Sequence, residues 1–417
     1  MAEDTSRREF IAVSGIALAA AGLGAYQAPA TNRLFAYVGR RTKGPGFGVG
    51  GGGGISVFAV NMTDGSLTKV SETGPDHDNL NCDGMCISDD YRFLYAVIQT
   101  PSFGGRPGAG GGVSAFAINR QNGSLTHLNT LPSMGGNPVG VIIDKTNSRV
   151  LVANHGAVAF VSTIVKRNGV PVVEIVTDDA TIALFPVKPD GSLEAPSDVH
   201  VFDRRPATEM GPAAAAHQVI FDRSQRWAIA SDNGCDNIYV YPFSLGVRTL
   251  EAKKFPTPPG KAPRHLVYHP RAPYFFMTNE REASVSSFHF DAATGNVRQV
   301  DTKPTIPQGY SGPRVSPSNM QMHPNGKFIV AANRGDDSLA IFSIDEGSGR
   351  MTAVSTIKCG GRGPREMGFE PSGRYFYVCN AQSSEVAAFA VDGNTGMMTP
   401  GPKIEVPQPG VIHFAAL

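Results

Sequence analysis

The feature that most constrains the fold of this chain is an internal repeat of roughly 50 residues. Each unit contains an apolar strand, a Pro/Asp-x-Gly turn, an aromatic-rich strand that ends in asparagine, and a third strand of the type Val-x-x-Phe-x-Val. A fourth strand follows a turn such as Asp-Gly-x-Leu. Three consecutive copies show the pattern best: Pro263–Val300, Ser318–Val354 and Pro364–Met398. Four strands in a repeat of this length are typical of a propeller blade.

Four further units precede these copies: Leu34–Val70, Gly84–Leu128, Val139–Val199 and His217–Lys253. The first unit lacks an inner strand, whereas the C-terminal segment Gly410–Leu417 has the pattern of a strand with no unit of its own. Pairing the two ends would close a ring and remove open sheet edges. The sequence therefore predicts an all-β fold, a seven-bladed β-propeller of four-stranded antiparallel blades closed by the C-terminal strand, as a single domain over residues 31–417.

The N-terminus has the pattern of an export signal. Ser6–Ile11 contains two adjacent arginines, an apolar run follows from Val13 to about Ala25, and small residues near Ala28–Ala30 suit a signal peptidase. The apolar run is shorter than the ~20 residues that span a bilayer. We expect residues 1–30 to be a twin-arginine signal peptide, the mature protein to be periplasmic or secreted, and no stable membrane insertion after signal removal.

Charge and cysteine spacing exclude several classes of partner and chemistry. Lys and Arg number 37 against 36 Asp and Glu, so the total charge predicts no nucleic-acid partner. Cys82 and Cys86 are spaced Cys-x3-Cys, but no second cluster completes a zinc site. No Gly-x-Ser-x-Gly pattern occurs either, which disfavours a covalent serine hydrolase. We expect no cofactor and no metal.

Polar residues recur where the first strand of a unit begins and the second ends. Antiparallel neighbours bring these two positions to one rim, and the first strand of each blade lines the central channel of a propeller. The resulting ring contains three arginines, two histidines and one glutamate, and predicts that Arg264 meets Glu280. The aligned pairs are Val139/His155, His217/Asn233, Arg264/Glu280, Ser318/Arg334 and Arg365/Ala381.

Such a ring suits a small anionic or oxygen-rich ligand. The planar guanidinium of arginine matches carboxylate or phosphate groups, and a partly buried Glu beside a His can transfer protons when their pKa values are tuned. The alternative is purely structural: Arg264 and Glu280 would tie two strands together, and His217 would be a rim histidine with its hydrogen bonds satisfied.

Several stretches carry a resemblance to a known family: Ala262–Pro270, Asn279-Glu280, His323–Phe328, Ala332–Gly335, Gly363–Arg365 and Gly-Ser-Leu at strand turns. In these stretches the chain resembles the seven-bladed propeller lactonases, which include bacterial 6-phosphogluconolactonase and the fungal 3-carboxy-cis,cis-muconate lactonizing enzyme. The resemblance covers nearly the whole mature chain. It implies that His217, Arg264 and Glu280 are catalytic, with Arg334 as a further member.

The chain departs from the family pattern close to these residues. Ala215 stands where a histidine is common, Asn319 replaces an acidic residue, and Gln321 replaces another histidine. A family histidine or cysteine near Pro138 corresponds to Val139 or Gly140. The catalytic cluster implied by the resemblance is therefore present, while its neighbours differ.

The leading hypothesis is a periplasmic lactonase that opens a sugar-acid (aldono-) lactone by metal-independent general acid/base chemistry. Glu280 would be the base and His217 the proton donor or shuttle. Arg264 and Arg334 would hold the carbonyl oxygen as charge develops. The predicted substrate-binding residues are Arg365, Arg314, His265, His155 and Asn233. Two alternatives are a lactonizing cycloisomerase acting on a muconate-type acid and a non-enzymatic propeller that binds a ligand or a protein.

Overall fold

The computed structural model describes residues 33–41, 53–74, 80–100, 102–106, 108–156, 160–203, 213–243 and 250–417. The predicted signal peptide, residues 1–30, lies outside them. Within the described residues, no helix has the length and apolar character needed to cross a membrane.

Thirty strands and one short 3-10 turn, Phe103–Gly105, make up the described secondary structure. The first fifteen strands are β1 (Leu34–Arg40), β2 (Gly54–Val60), β3 (Leu67–Glu72), β4 (Met85–Ile87), β5 (Phe93–Ile98), β6 (Gly112–Ile118), β7 (Leu125–Pro132), β8 (Pro138–Ile143), β9 (Arg149–Asn154), β10 (Phe160–Arg167), β11 (Val170–Thr177), β12 (Thr181–Pro186), β13 (Asp198–Val201), β14 (Ala216–Phe221) and β15 (Trp227–Asp232). The others are β16 (Asn237–Pro242), β17 (Lys253–Pro256), β18 (Pro263–Tyr268), β19 (Tyr274–Asn279), β20 (Ser284–Asp291), β21 (Asn296–Pro304), β22 (Ser316–Met322), β23 (Phe328–Arg334), β24 (Ser338–Ile344), β25 (Met351–Lys358), β26 (Pro364–Phe369), β27 (Tyr375–Asn380), β28 (Glu385–Val391), β29 (Met398–Glu405) and β30 (Pro409–Ala416).

These strands form seven four-stranded antiparallel blades, as predicted. From the inner to the outer strand, the blades are β30-β1-β2-β3, β4-β5-β6-β7, β8-β9-β12-β13, β14-β15-β16-β17, β18-β19-β20-β21, β22-β23-β24-β25 and β26-β27-β28-β29. The inner strands contact one another in ring order. The C-terminal strand β30 pairs with β1 from Leu34↔Ala416 onward, so the predicted closure of the ring is confirmed.

Burial across a blade follows from the stacking of blades against each other. The second strands β19 and β27 are buried at every position, because neighbouring blades cover both of their faces. These strands therefore read as continuous aromatic and aliphatic runs rather than as alternating patterns. The outer strand β29 is mostly exposed and carries polar residues instead.

A β-bulge interrupts the inner strand where it reaches the channel mouth. In blade 5, Pro263 pairs with Asn279 and Leu266 with Met277, so Arg264 and His265 together oppose a single residue. The inner strands of blades 3, 4, 6 and 7 shift register at the equivalent place. A bulge breaks the strict two-residue alternation of a strand and re-aims its side chains, so two consecutive residues can serve the same side.

The insertion in the third unit, Val158–Asp179, contains a separate hairpin. Strands β10 and β11 pair from Phe160↔Thr177 to Arg167↔Val170 and, among the described strands, with no other strand. The two-residue loop Asn168-Gly169 has φ values of 50° and 82°, the left-handed pair that suits a tight hairpin. In the sequence, Asn168-Gly169 between two valine-rich runs is a strong hairpin signal.

Candidate active site

All seven blades contribute a pair of positions to the mouth of the channel, and two of these pairs are absent from the five aligned in the sequence. In blade 5 the backbone N–H of Glu280 donates to the carbonyl oxygen of Ala262 at 3.0 Å. The same bond joins Gln99 to Asn81 at 3.0 Å in blade 2, and Arg41 to Gln408 at 2.9 Å in blade 1. The additional pairs are therefore Asp83/Gln99 and Gly410/Arg41.

Glu280 is the centre of an ion-pair cluster in the mouth. Its Oε2 lies 3.5 Å from Nε of Arg264, so the predicted contact between these residues is present. The guanidinium of Arg334 contacts Oε1. Asn233 donates from Nδ2 to Oε2 at 2.9 Å, and the hydroxyl of Ser316 donates to Oε1 at 3.0 Å. Three neighbouring blades therefore hold one carboxylate.

Ser316, rather than Ser318, is the strand partner of Arg334. Ser316 has the same cross-strand position relative to Arg334 that Ala262 has relative to Glu280, and Ser318 lies two residues further along β22, as Arg264 does on β18. Arg334 donates from Nε to the carbonyl oxygen of Ser316 at 3.1 Å. Ser318 instead donates its hydroxyl to the carbonyl oxygen of Pro364 at 2.7 Å, joining blades 6 and 7.

The electrostatic environment of Glu280 keeps it ionised. Burial raises the pKa of this carboxyl, but the guanidiniums of Arg264 and Arg334 and the hydroxyl of Ser316 outweigh burial and hold the pKa at about 2. A carboxylate with such a low pKa binds protons weakly. Its geometry suits the positioning of two guanidiniums.

His217 differs from Glu280 in that no group of opposite charge contacts it among the described residues. Burial, followed by the nearby charge of Arg264, lowers the pKa of its imidazole well below the ordinary range. The ring therefore stays neutral at pH 7. The His155 ring packs edge-on against it, with the ring centroids 5.8 Å apart. Within the described residues, Nδ1 of His217 is buried without a hydrogen-bond partner.

Arg264 also presents unused donors. The residue is only 4% exposed, and its Nε and Nη1 form no hydrogen bond with any described residue. Burial lowers the pKa of the guanidinium to about 10, so it stays cationic at neutral pH. Buried donors without partners are rare in folded proteins and mark places where water or a ligand binds.

Arg365 is held by Asp83, an acid that is absent from the pairs aligned in the sequence. Both carboxylate oxygens of Asp83 contact the Arg365 guanidinium, and Arg41 Nε lies 3.7 Å from Oδ1 of Asp83. Burial raises the pKa of Asp83, but Arg365 and Arg41 outweigh that effect and hold it at about 2. The predicted unit began at Gly84, one residue too late to include Asp83.

A second carboxyl, Glu366, lies deeper in the channel beside His265 and Asn319. Its Oε1 lies 3.8 Å from Nδ1 of His265, and the Asn319 amide donates to its Oε2. The Asn319 amide nitrogen also lies 3.1 and 3.2 Å from the ring nitrogens of His265. Burial raises the pKa of Glu366 to about 8. Sequence reasoning passed over this residue because alternation places it on the face opposite Arg365.

The structure brings together most of the predicted site residues. Glu280 is in direct contact with Arg264, Arg334 and Asn233. His217 packs against His155 and lies close enough to Arg264 for the guanidinium charge to lower its pKa. Arg314 is different, because it lies on the exposed segment before β22, and no hydrogen bond or ion pair joins its side chain to another described residue.

A family model described as lactonase, 7-bladed beta-propeller, matches residues 35–414. The chain belongs to this family. Among its relatives is the 6-phosphogluconolactonase of Bacillus subtilis strain 168, 28% identical over 256 residues, which are 61% of this chain and 66% of that protein. The chain thus spans just under two thirds of that relative's length. The 6-phosphogluconolactonase of Formosa agariphila is 25% identical over 323 residues, which are 75% of this chain and 81% of that one.

A solved structure supports the fold. The periplasmic gluconolactonase of Pseudomonas aeruginosa superimposes with a TM-score of 0.77 at 24% identity. The match covers 92% of this chain and 100% of the other. The family match confirms the resemblance to the seven-bladed propeller lactonases that the sequence motifs indicated.

Proposed function

We propose that this chain is a periplasmic lactonase that hydrolyses the ring ester of a sugar-acid lactone. The observation that carries the proposal is a pair of buried polar atoms in the mouth that form no hydrogen bond with any described residue: Nδ1 of His217 and Nη1 of Arg264. A lactone supplies a carbonyl oxygen for the guanidinium, and an attacking water supplies a proton for the imidazole.

The electrostatics support a division of roles that differs from the one expected from the sequence. Glu280, with a pKa of about 2, orients Arg264 and Arg334. The neutral imidazole of His217 accepts the proton of the attacking water. Arg264 stabilises the negative charge that develops on the carbonyl oxygen, the type of contribution that usually dominates acyl-transfer catalysis.

The twin-arginine pattern at Arg7-Arg8 and the likeness to a periplasmic gluconolactonase support export. Sugar phosphates are kept in the cytoplasm, so an exported enzyme would meet an unphosphorylated lactone. Replacing both arginines with lysine should retain the protein in the cytoplasm, as measured by cell fractionation. Unchanged export of the double variant would contradict a twin-arginine route.

Purified protein tested on glucono-1,5-lactone in a pH-stat provides the direct test. His217→Gln should lower kcat by about 10²-fold or more, the usual contribution of general base catalysis. Arg264→Gln should lower it by a similar factor, because the oxyanion loses its donors. His289→Gln serves as the control, since this ring packs on Tyr274 in the blade and lies outside the mouth. Wild-type-like turnover by both site variants would refute the proposal.

A further inference from the structure

Glu366 has no role in the chemistry described so far, and its direct contacts are with an amide and an imidazole. It sits on β26 immediately after Arg365 and reaches across to Asn319 on β22 and His265 on β18. Its side chain remains 17% exposed, so it borders the open channel rather than the blade interior.

The charged groups around Glu366 are already engaged with other partners. Arg365 beside it is bound through two nitrogens by Asp83, and Arg264 is paired with Glu280. His265 and His413 also face this part of the channel, and burial lowers the pKa of both rings, so both are neutral. The direct contacts of Glu366 are therefore an amide and a neutral imidazole.

A carboxyl in such surroundings keeps its proton. Burial raises the pKa of Glu366 to about 8, and the amide of Asn319 and the charges of Arg264 and Arg365 offset only part of that effect. A protonated carboxyl at neutral pH is a hydrogen-bond donor and an acid. His217 is neutral and able to accept a proton, so the mouth pairs an acid with a base whose environments push their pKa values apart.

We propose that Glu366 is a catalytic residue, the general acid that protonates the ring oxygen of the lactone as the ester bond breaks. This inference rests on the proposed lactonase function. Its geometric basis is the contact of the partly exposed Glu366 carboxyl with Asn319 and with His265, the residue that follows Arg264 on β18.

The reaction balances without any further reactant. Water adds its oxygen to the carbonyl carbon and gives one proton to His217. The tetrahedral intermediate then breaks the bond between that carbon and the ring oxygen. The ring oxygen takes the proton of Glu366 and becomes a hydroxyl. The product is a hydroxy acid, and solvent returns the proton from His217 to Glu366.

A substrate whose leaving group needs no proton distinguishes a catalytic role of Glu366 from a structural one. Opening glucono-1,5-lactone expels an alkoxide, which requires an acid, whereas opening dihydrocoumarin expels a phenolate, which does not. Glu366→Gln keeps the size and the hydrogen-bonding capacity of the side chain but cannot donate an acidic proton. We expect kcat on glucono-1,5-lactone to fall by about 10²-fold, within the usual range for general acid catalysis, and kcat on dihydrocoumarin to change by less than about 3-fold.

The wild-type enzyme provides a second measurement that needs no variant. Its kcat on glucono-1,5-lactone, corrected for spontaneous hydrolysis, should fall as the pH rises through about 8, while kcat on dihydrocoumarin stays level. Glu282→Gln is the control, because this carboxylate pairs with Lys261 and Ser284 away from Glu366.

Equal losses on both substrates in Glu366→Gln, or no loss on either, would overturn the assignment of Glu366 and leave the lactonase function standing. A flat wild-type pH profile on glucono-1,5-lactone would do the same. Failure of the wild-type protein to hydrolyse either lactone would instead overturn the proposed function itself.

Discussion

Arg365 of blade 7 binds Asp83 of blade 2, reaching past the inner strand of blade 1 that lies between them. The contact uses Nε and Nη2 of the arginine and both oxygens of the acid. Asp83 is 2% exposed at its side chain and Arg365 is 18% exposed. The pair therefore links blades at the point where the two ends of the chain close the ring.

Asp83→Asn should destabilise the protein markedly. Removing one member of a buried ion pair leaves the other charge without compensation and typically costs about 3–5 kcal/mol. The folded carboxyl has a pKa of about 2, below its ordinary value of 3.8, so its stabilising effect is complete above pH 3.8 and is lost as the pH falls through 2. In chemical denaturation, the free energy of unfolding of the wild type should therefore exceed that of Asp83→Asn at pH 5, and this difference should shrink below pH 3.

The matched control is Asp203→Asn, which removes a carboxylate 67% exposed and paired with Lys254. Such a surface pair contributes about 1 kcal/mol or less. If the two substitutions lower the free energy of unfolding equally, the Asp83–Arg365 contact stabilises the closed ring no more than a surface ion pair does.

Gly410 makes room for this contact, and a methyl group there should disturb it. A Cβ at this position would lie 2.7 Å from the carbonyl oxygen of Cys82 and 3.0 Å from Oδ1 of Asp83. Because a backbone atom must move, Gly410→Ala should destabilise the fold by about 1–3 kcal/mol in thermal or chemical unfolding. Gly74→Ala is the control, since nothing lies within 4 Å of its added Cβ. If both variants unfold alike, the steric argument at Gly410 is wrong.

The repeat made the fold predictable, because seven copies of one strand pattern average out the irregularities of any single copy. The pairing of Arg264 with Glu280 followed from strand direction alone. Asp83 escaped notice because β4 has only three residues and begins without the proline that marks Pro263 and Pro364.

Glu366 could not be predicted from alternation, since a bulge changes which residues share a side. Arg365 occupies the extra position between Pro364↔Asn380 and Glu366↔Cys379. No residue type in the sequence predicts that this shift in register places Glu366 in the channel. The pKa values of the two carboxyls could not be predicted either, because they depend on the groups that each carboxyl contacts. Glu280 contacts two guanidiniums, whereas Glu366 contacts an amide and a neutral ring.

The β10–β11 hairpin should be removable without loss of the propeller. Its strands pair only with each other among the described strands, and it exposes Ile164 at 67% and Val173 at 65%. A Cβ on Gly156 would lie 2.6 Å from the carbonyl oxygen of Asp179, so the two ends of the insertion are adjacent. Replacing residues 160–177 with a Gly-Ser linker of about four residues should change the free energy of unfolding by less than about 1 kcal/mol.

Circular dichroism and chemical denaturation of the shortened chain would check this expectation. Ile164→Ser with Val173→Ser in the intact chain is the control, because it removes the exposed apolar surface and keeps the hairpin. A shortened chain that fails to fold, beside a stable double variant, would show that the hairpin backbone supports blade 3.

Two buried histidines should make the protein less stable in mild acid. His269 donates from Nε2 to the carbonyl oxygen of Gly326 at 2.9 Å, and its Nδ1 accepts the backbone N–H of Ala272 at 2.8 Å. His323 makes the equivalent bond from Nε2 to Gly373 at 3.1 Å in the next blade. Both rings need an unprotonated Nδ1, and burial lowers the pKa of each below 6.5.

Because the folded pKa is depressed, the stability from these rings is complete above pH 6.5 and declines as the pH falls through their folded pKa values. Each ring adds at most about 1.4 kcal/mol per pH unit to the slope. The double variant His269→Gln/His323→Gln should therefore show a shallower loss of stability between pH 6.5 and 5 in chemical denaturation. The remaining slope comes from the other histidines whose pKa is lowered: His155, His200, His217, His265 and His413. Glu366 acts in the opposite sense, since its raised pKa makes stability fall as pH rises from 4.5 to about 8.

The control is His289→Gln, which removes a ring outside these inter-blade contacts and should leave the slope of stability against pH as it is in the wild type. An unchanged slope in the double variant would contradict the assigned role of His269 and His323.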